Sequence, residues 1–199
     1  MPMPATTRKI TQADVLPPAQ YAKERIERRK ALVAVKKNRR MEVGPFATFY
    51  FENYDTMFQQ VHEMLHIEKG GVEQIAGELE AYNPLIPQGD ELIATLMLEI
   101  ENVEIRNREL FRLAGIEESV YIEMEQQRIA ATPTEYDDRT TPDGKTSSVH
   151  WVRFKFTPEQ IAKFKNTDIT AILGVAHPGY GHMAVIAPEV RAELAKDFA

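Results

Sequence analysis

The sequence contains no cysteine among its 199 residues. Without thiols there is no disulfide scaffold, no thiolate metal site and no cysteine nucleophile, and the absence fits a reducing compartment. Long apolar runs are missing too: no run approaches the roughly 18 residues of a membrane span, and the N-terminal segment lacks the apolar core of a signal peptide. Glycine-rich phosphate loops and the Gly-x-Ser-x-Gly motif of hydrolases are also absent. These absences predict a soluble cytoplasmic protein and remove several common enzyme classes.

Positive charge is concentrated in one segment of an acidic chain. The net charge is −6, yet residues 23–40 hold nine Lys or Arg against two Glu. Such a segment can bind phosphates or other anions, or it can be a solvated helix that pairs with acidic neighbours or a second subunit. The lack of interleaved aromatic residues and the estimated pI of 5.5 argue against a nucleic-acid partner. The candidate anion ligands are Arg25, Arg28, Arg29, Lys36, Lys37, Arg39 and Arg40.

Periodic apolar residues and turn signals divide the chain into alternating elements. They predict helices over residues 19–38, 55–68, 72–82 and 104–113, and further helices starting at 158 and 188. They predict strands over residues 46–52, 92–100, 120–125 with a continuation to 134, 149–156, 169–176 and 183–187. The polar segment 135–148, with Pro-Asp-Gly at its centre, predicts a hairpin loop.

The order of these elements indicates the fold class. Strands follow one another in the second half of the chain, which favours an α+β fold with a largely antiparallel or mixed sheet over a doubly wound parallel sheet. We expect one domain over residues 19–199, with five to seven strands and with helices packed mainly on one face. Prolines in residues 1–18 predict an extended arm in front of this domain.

One short string has the form of a zinc site. His62, Glu63 and His66 match the His-Glu-x-x-His pattern of zinc metalloproteases. Two imidazoles four residues apart on a helix can hold one metal ion, zinc or iron here, and the Glu can act as the catalytic base on a metal-bound water. The string therefore makes a metal-dependent hydrolase one candidate function.

The helical phase of the same segment argues against that function. At about 100° per residue the apolar residues share one face, with His62 at its flank, His66 facing mostly away and Glu63 pointing to solvent. A working zinc site also needs a third ligand, and no second motif supplies one. The alternatives are two partly exposed histidines without a metal, or a non-catalytic metal site, for example between subunits.

Two further histidines, His177 and His182, bracket the sequence Pro-Gly-Tyr-Gly. If the flanking strands form a hairpin, the two imidazoles face each other across it and could hold a metal. The structural alternative is a Pro/Gly turn with a histidine at each shoulder.

Several short motifs together resemble a known family. The motifs are Arg39-Arg40-Met41-Glu42-Val43-Gly44, Phe51-Glu52-Asn53 with Asp55-Thr56, Gln60, Glu63-Met64-Leu65, Tyr82-Asn83-x-Leu85-Ile86-Pro87, the strand from Glu91 to Ile100, Val152-Arg153-Phe154 and His177-Pro178-x-Tyr180. From about Ile10 onward the chain is similar to a bacterial family catalogued as domain of unknown function 3501.

The resemblance implies no assigned activity. In that family Glu63-Met64 is typical, but histidines at positions 62 and 66 are not. The resemblance thus implies that the His-Glu-x-x-His string is peculiar to this member. Genes of the family lie near rubrerythrin-like and iron–sulfur oxidoreductase genes, which implies an accessory role in redox or stress responses.

The sequence favours a cytoplasmic binding or accessory protein that acts through protein contacts, with a homodimer as the default assembly. A hydrolase using His62, Glu63 and His66 is the first alternative. An anion or nucleic-acid binder using the basic segment 23–40 is the second alternative.

Overall fold

The computed structural model describes residues 8–134 and 139–199. The first seven residues of the predicted arm and residues 135–138 of the predicted hairpin loop lie outside the described residues. The described α-helices are α1 (Pro18–Lys37), α2 (Tyr54–Glu68), α3 (Val72–Tyr82), α4 (Val103–Arg112), α5 (Pro158–Lys165) and α6 (Pro188–Leu194). The described strands are β1 (Arg40–Val43), β2 (Ala47–Phe51), β3 (Glu91–Leu98), β4 (Val120–Met124), β5 (Gln127–Pro133), β6 (Val149–Lys155), β7 (Ala171–His177) and β8 (Tyr180–Val185).

All eight strands form one sheet in the order β1-β2-β3-β6-β5-β4-β7-β8. Every neighbouring pair is antiparallel. The predicted α+β class and antiparallel sheet are therefore confirmed. The predicted number of strands was wrong, because the sheet has eight strands and not five to seven.

Local sequence explains both missed strands. β1 begins at Arg40, the last residue of the basic segment, and only its alternate residues Met41 and Val43 are buried. β4 and β5 read as one strand because the turn between them is made by Glu125 and Gln126, with φ of 48° and 64°. Such left-handed turn positions are usually signalled by Gly or Asn, and neither residue is present here.

The sheet curls until its two end strands approach each other, so that it is nearly barrel-shaped. The inner face forms the main core, in which Phe49 and Leu92 are fully buried. Helices α5 and α6 add Phe164 and Leu194 to this core. The helices therefore pack on both sides of the sheet, which differs from the predicted packing mainly on one face.

One tyrosine joins the two ends of the sheet. The Tyr180 hydroxyl of β8 donates to the Val43 carbonyl at 2.7 Å and accepts from the amides of Phe46 and Ala47 at 2.8 and 2.9 Å. Between these residues Gly44 adopts a φ of +71°, and a Cβ placed there would lie 2.5 Å from the His182 ring. Glycine is thus required both by the backbone angle and by the close approach of β8.

A second, smaller core covers the outer face of β3 and β6. Ile93 of β3 packs there against Val61 of α2, Leu85 and Ile10, with Trp151 of β6 at its border. α1 in turn packs on α2. Within the described residues, no helix is long and apolar enough to cross a membrane.

Candidate functional site

A cavity of about 370 Å³ lies between the outer face of the sheet and helix α2. It is lined by Lys36, Arg39, Tyr50, Phe51, Glu52, Thr56, Met57, Gln60, Tyr82, Leu85, Thr95, Met97, Val149 and Trp151. The strand register explains the sheet side of the cavity, because Tyr50, Thr95 and Trp151 stand opposite one another on β2, β3 and β6. The cavity has the size and the largely apolar lining of a small-molecule site.

The helical side of the cavity is set by a short turn after β2. Asn53 caps α2: its side chain accepts from the Thr56 amide at 3.0 Å, and its own amide donates to the Thr56 hydroxyl at 2.9 Å. This reciprocal cap begins the helix immediately beyond the strand. Met57 and Gln60 of the first turns consequently lie over the sheet, and Gln60 reaches the Tyr82 hydroxyl at 3.4 Å.

Glu52 is the acidic residue of this cavity. Its side chain follows Tyr50 on the outer face, and the residue is only 8 % exposed. One carboxylate oxygen accepts a hydrogen bond from the Thr95 hydroxyl at 2.7 Å. No Lys or Arg in the described part of the chain forms an ion pair with it. A withdrawn carboxylate with one hydrogen bond and no counter-ion is unusual, because burying an unpaired charge is costly.

Arg39 fixes the backbone at Glu52. Its guanidinium donates to the carbonyls of Phe51 and Glu52, both at 2.9 Å, and pairs with Asp197 near the end of the chain. Glu193 lies 3.7 Å from the same guanidinium. Arg39 is 2 % exposed, so this candidate anion ligand is instead buried and paired with acidic neighbours.

The comparisons with known proteins place the chain in a family. The model described as "Protein of unknown function (DUF3501)" matches residues 9–198. The chain belongs to this family. The resemblance inferred from the sequence is thereby confirmed.

One solved relative of this DUF3501 chain is similar over its whole length. It is a novel protein of unknown function from Burkholderia pseudomallei K96243, with a crystal structure at 1.90 Å resolution. The two chains are 37 % identical, with a TM-score of 0.86 over 96 % of this chain and 100 % of the other. No curated protein matches the chain. Function must therefore be argued from the geometry of the site.

His62 in this family member is a buried structural histidine. It is 2 % exposed; its Nδ1 lies 2.7 Å from the Phe58 carbonyl, and its Nε2 accepts from the Leu16 amide at 2.9 Å. Both ring nitrogens are thus engaged, with the proton on Nδ1. Burial lowers the pKa of His62, and the Phe58 hydrogen bond only partly offsets this effect. The imidazole anchors the N-terminal segment to α2, and it does not offer a lone pair to a metal.

Glu63 is a salt-bridge partner of α1. The Arg25 guanidinium binds both carboxylate oxygens, at 2.9 and 2.7 Å, and the Tyr21 hydroxyl donates at 2.6 Å. Gln59 donates to the same carboxylate at 2.9 Å. The hydrogen bonds from Arg25 hold the pKa of Glu63 at about 2. The expectation that Glu63 points to solvent was therefore wrong, because α1 covers that face of α2.

These contacts do not fit the predicted metal site. His66 is half-buried, with its ring centroid 6.0 Å from that of Tyr21. Among residues 8–134 and 139–199, no group of three or more His, Asp or Glu side chains is placed to hold a metal ion. With His62 and Glu63 already engaged, we derive no zinc or iron chemistry from this string.

The second histidine pair is not a cross-strand pair. His177 of β7 stands opposite Tyr180, whereas His182 of β8 stands opposite Val175. The His177 ring accepts from the Gly179 amide at 3.0 Å and contacts the Ala114 carbonyl at 3.1 Å. The expectation that the two imidazoles face each other was therefore wrong, because the turn joining β7 and β8 is tighter than the one we assumed.

The basic segment does not form one continuous anion-binding face. Arg25 pairs with Glu63, and Arg28 pairs with Glu24 at 2.7 Å. Arg40 belongs to β1, where it pairs with Glu42 at 2.7 Å. Of the candidate anion ligands, those left exposed on α1 are Arg29, Lys36 and Lys37.

Sequence reasoning missed the cavity and its acidic residue. Glu52 entered only as part of a family motif. A signal was present: Phe49 and Phe51 alternate with Tyr50 and Glu52, so the charged residue had to lie on the face opposite the main core.

Proposed function

We propose that this DUF3501 protein binds a small organic amine in the cavity at Glu52, as a binding protein without a catalytic role. The observation that carries the proposal is the Glu52 carboxylate, which is withdrawn from solvent and lacks a counter-ion among the described residues. A protonated amine supplies the missing positive charge. It also supplies hydrogen-bond donors for the carboxylate oxygens that Thr95 leaves open.

The rest of the lining favours an amine with an apolar body. Met57 and Leu85 offer aliphatic surface, and Tyr82 offers an aromatic ring. The rings of Tyr50 and Trp151 already lie against the guanidinium groups of Arg40 and Arg139, at 5.7 and 4.3 Å. We therefore assign recognition of the charge to Glu52 and recognition of the body to apolar contact.

A matched pair of ligands tests the proposal by calorimetric titration. Phenethylamine and 2-phenylethanol have nearly the same shape but differ in charge. We expect the amine to bind at least about tenfold more tightly, because only the amine pairs with a buried carboxylate. Glu52→Gln keeps the acceptor for Thr95 but removes the charge, so this variant should lose the preference for the amine.

The matched control for that variant is Glu42→Gln. Glu42 is an exposed carboxylate on the neighbouring strand β1, and its replacement changes the net charge by the same amount. Glu42→Gln should therefore bind phenethylamine as the wild type does. Equal binding of amine and alcohol, or an unchanged preference in Glu52→Gln, would overturn the proposal.

The cellular location and the assembly of the protein are also proposals. We infer a cytoplasmic protein that associates with a second copy of itself; the absence of cysteine and the exposed apolar side chains of β8 support this inference. Met183 and Val185 on that strand are 64 % and 63 % exposed. Sedimentation of the wild type beside Val185→Lys measures the association. An accessory role in redox or stress responses stays a prediction from the family resemblance.

A further inference from the structure

Lys36 lines the same cavity as Glu52 and, like it, has no counter-ion among the described residues. It lies in the last turn of α1, where its side chain is exposed. Across residues 8–134 and 139–199 it forms no ion pair and no side-chain hydrogen bond. Lys36 and Glu52 also form no ion pair with each other, although both border the cavity. The cavity therefore presents two separate charges of opposite sign.

Arg39 links the backbone segments that carry these two charges. Its amide donates to the Lys36 carbonyl at 3.1 Å, and its guanidinium binds the Glu52 carbonyl at 2.9 Å. Its own charge is met by Asp197 and Glu193. One neutralised arginine thus fixes the main chain at Lys36 and Glu52, and it does not compete for a ligand because its charge is already paired.

We propose that the ligand is a zwitterion, an aminocarboxylate whose ammonium group pairs with Glu52 and whose carboxylate pairs with Lys36. The inference rests on the proposed function, because it names the class of amine that the cavity takes. A simple amine leaves Lys36 unpaired and meets its repulsion, and a simple carboxylate meets the repulsion of Glu52. A zwitterion satisfies both charges, and its apolar body contacts Met57 and Leu85.

Two matched sets of probes test the inference by calorimetric titration. Phenylalanine, phenethylamine and 3-phenylpropionate share one skeleton with the charges adjacent. The second set, 6-aminohexanoate, hexylamine and hexanoate, has the charges at the two ends of a chain. In at least one set we expect the zwitterion to bind about fivefold more tightly than its amine, the scale of an exposed ion pair.

Variants of two neighbouring lysines identify the source of that preference. Lys36→Gln should abolish the advantage of the zwitterion over the amine. Lys37→Gln removes an exposed charge from the same helical turn but not from the cavity lining, so it should leave the advantage intact. The advantage should also shrink as salt is added, because an exposed ion pair is screened.

The outcomes separate this inference from the function on which it rests. If both amines bind as tightly as their zwitterions and Lys36→Gln changes nothing, the zwitterion is rejected while the amine site stands. If the amines and zwitterions of both sets fail to bind the wild type, the proposed function is rejected together with the inference. Since Lys36 is exposed, its variant should keep the wild-type circular dichroism spectrum.

Discussion

Glu63 and Glu52 lie close together in sequence, yet their surroundings differ. Glu63 sits in the contact between α1 and α2, where Arg25, Tyr21 and Gln59 all donate to its carboxylate. Glu52 sits in the cavity beside α2, where its carboxylate accepts one hydrogen bond within the described residues, from Thr95. The Glu63 carboxylate has its hydrogen bonds and its counter-ion within the fold, whereas the Glu52 carboxylate has no counter-ion among the described residues.

The comparison teaches that the hydrogen-bond and ion-pair partners of a side chain identify a candidate site better than a sequence motif does. The string that has the form of an active site, His62 to His66, is occupied by structural contacts. The cavity that has no motif holds a carboxylate, Glu52, without a counter-ion in the part of the chain that the structure describes. Perturbed or unsatisfied charged groups in a cleft are the physical signature of function, and a short pattern of letters is not.

The largest expected effect is on stability, and it should separate the two glutamates. Glu63→Gln should lower the free energy of unfolding by about 2 kcal/mol, because it leaves the Arg25 guanidinium without its counter-charge. Glu52→Gln should change it by less than about 0.5 kcal/mol or raise it, since it removes an unpaired buried charge. Urea denaturation followed by circular dichroism measures both variants.

Glu80→Gln is the reference for that pair, because Glu80 is exposed on α3. Its effect should stay within about 0.5 kcal/mol of wild type. A loss in Glu52→Gln as large as that in Glu63→Gln would remove the contrast between the two carboxylates.

The next largest effect is the pH dependence of the folding stability, which tests the region around Glu63. Burial lowers the pKa of His62 and of His150 below the ordinary value of 6.5. The unfolded chain then binds these protons more tightly, so the stability is complete above about pH 6.5 and is lost as the pH falls below it. Between pH 7 and 5.5 we expect each histidine to contribute a loss of at most about 1 kcal/mol, the limit set by protonation of the unfolded chain.

Urea midpoints at the two pH values measure this loss. His62→Gln should lose less stability on acidification than the wild type, although it starts from a lower value because the contact with Leu16 is weakened. An unchanged pH dependence in His62→Gln would contradict the role assigned to its neutral ring.

The smallest effect is expected at Thr95, the only described hydrogen-bond partner of the Glu52 carboxylate. Thr95→Val keeps the shape of the side chain but removes that hydrogen bond. Stability should change by less than about 1 kcal/mol, and the affinity for phenethylamine by about threefold or less. A complete loss of binding would show that Thr95, and not the charge of Glu52, dominates recognition.

Much of the fold was predictable because it follows local rules. The helices ending at Glu68 and Tyr82 have clear apolar periodicity and clear stop signals, and the structure places their ends there. The number of strands was mispredicted where the local sequence carries no clear strand or turn signal. β1 is short and charged, and the turn at Glu125 and Gln126 uses residues that rarely adopt left-handed angles.

The site was less predictable because it depends on contacts distant in sequence. The helical phase of α2 placed Glu63 toward solvent, but that calculation could not include α1, which brings Arg25 onto the same face. The isolation of Glu52 likewise depends on the register of β2 against β3 and on Arg39 being held by Asp197. Only the assembled molecule shows which charges find partners.

The Tyr180 bridge between the ends of the sheet has a consequence for solubility. An open eight-stranded sheet leaves two rows of unpaired backbone groups, each a template for another chain to add on. Here β1 and β8 turn those rows toward each other, and the phenol of Tyr180 and the ring of His182 occupy one end of the gap. Tyr180→Phe would leave the main core packed but would loosen the contact between β1 and β8. We therefore expect this variant to aggregate under conditions in which it is still folded.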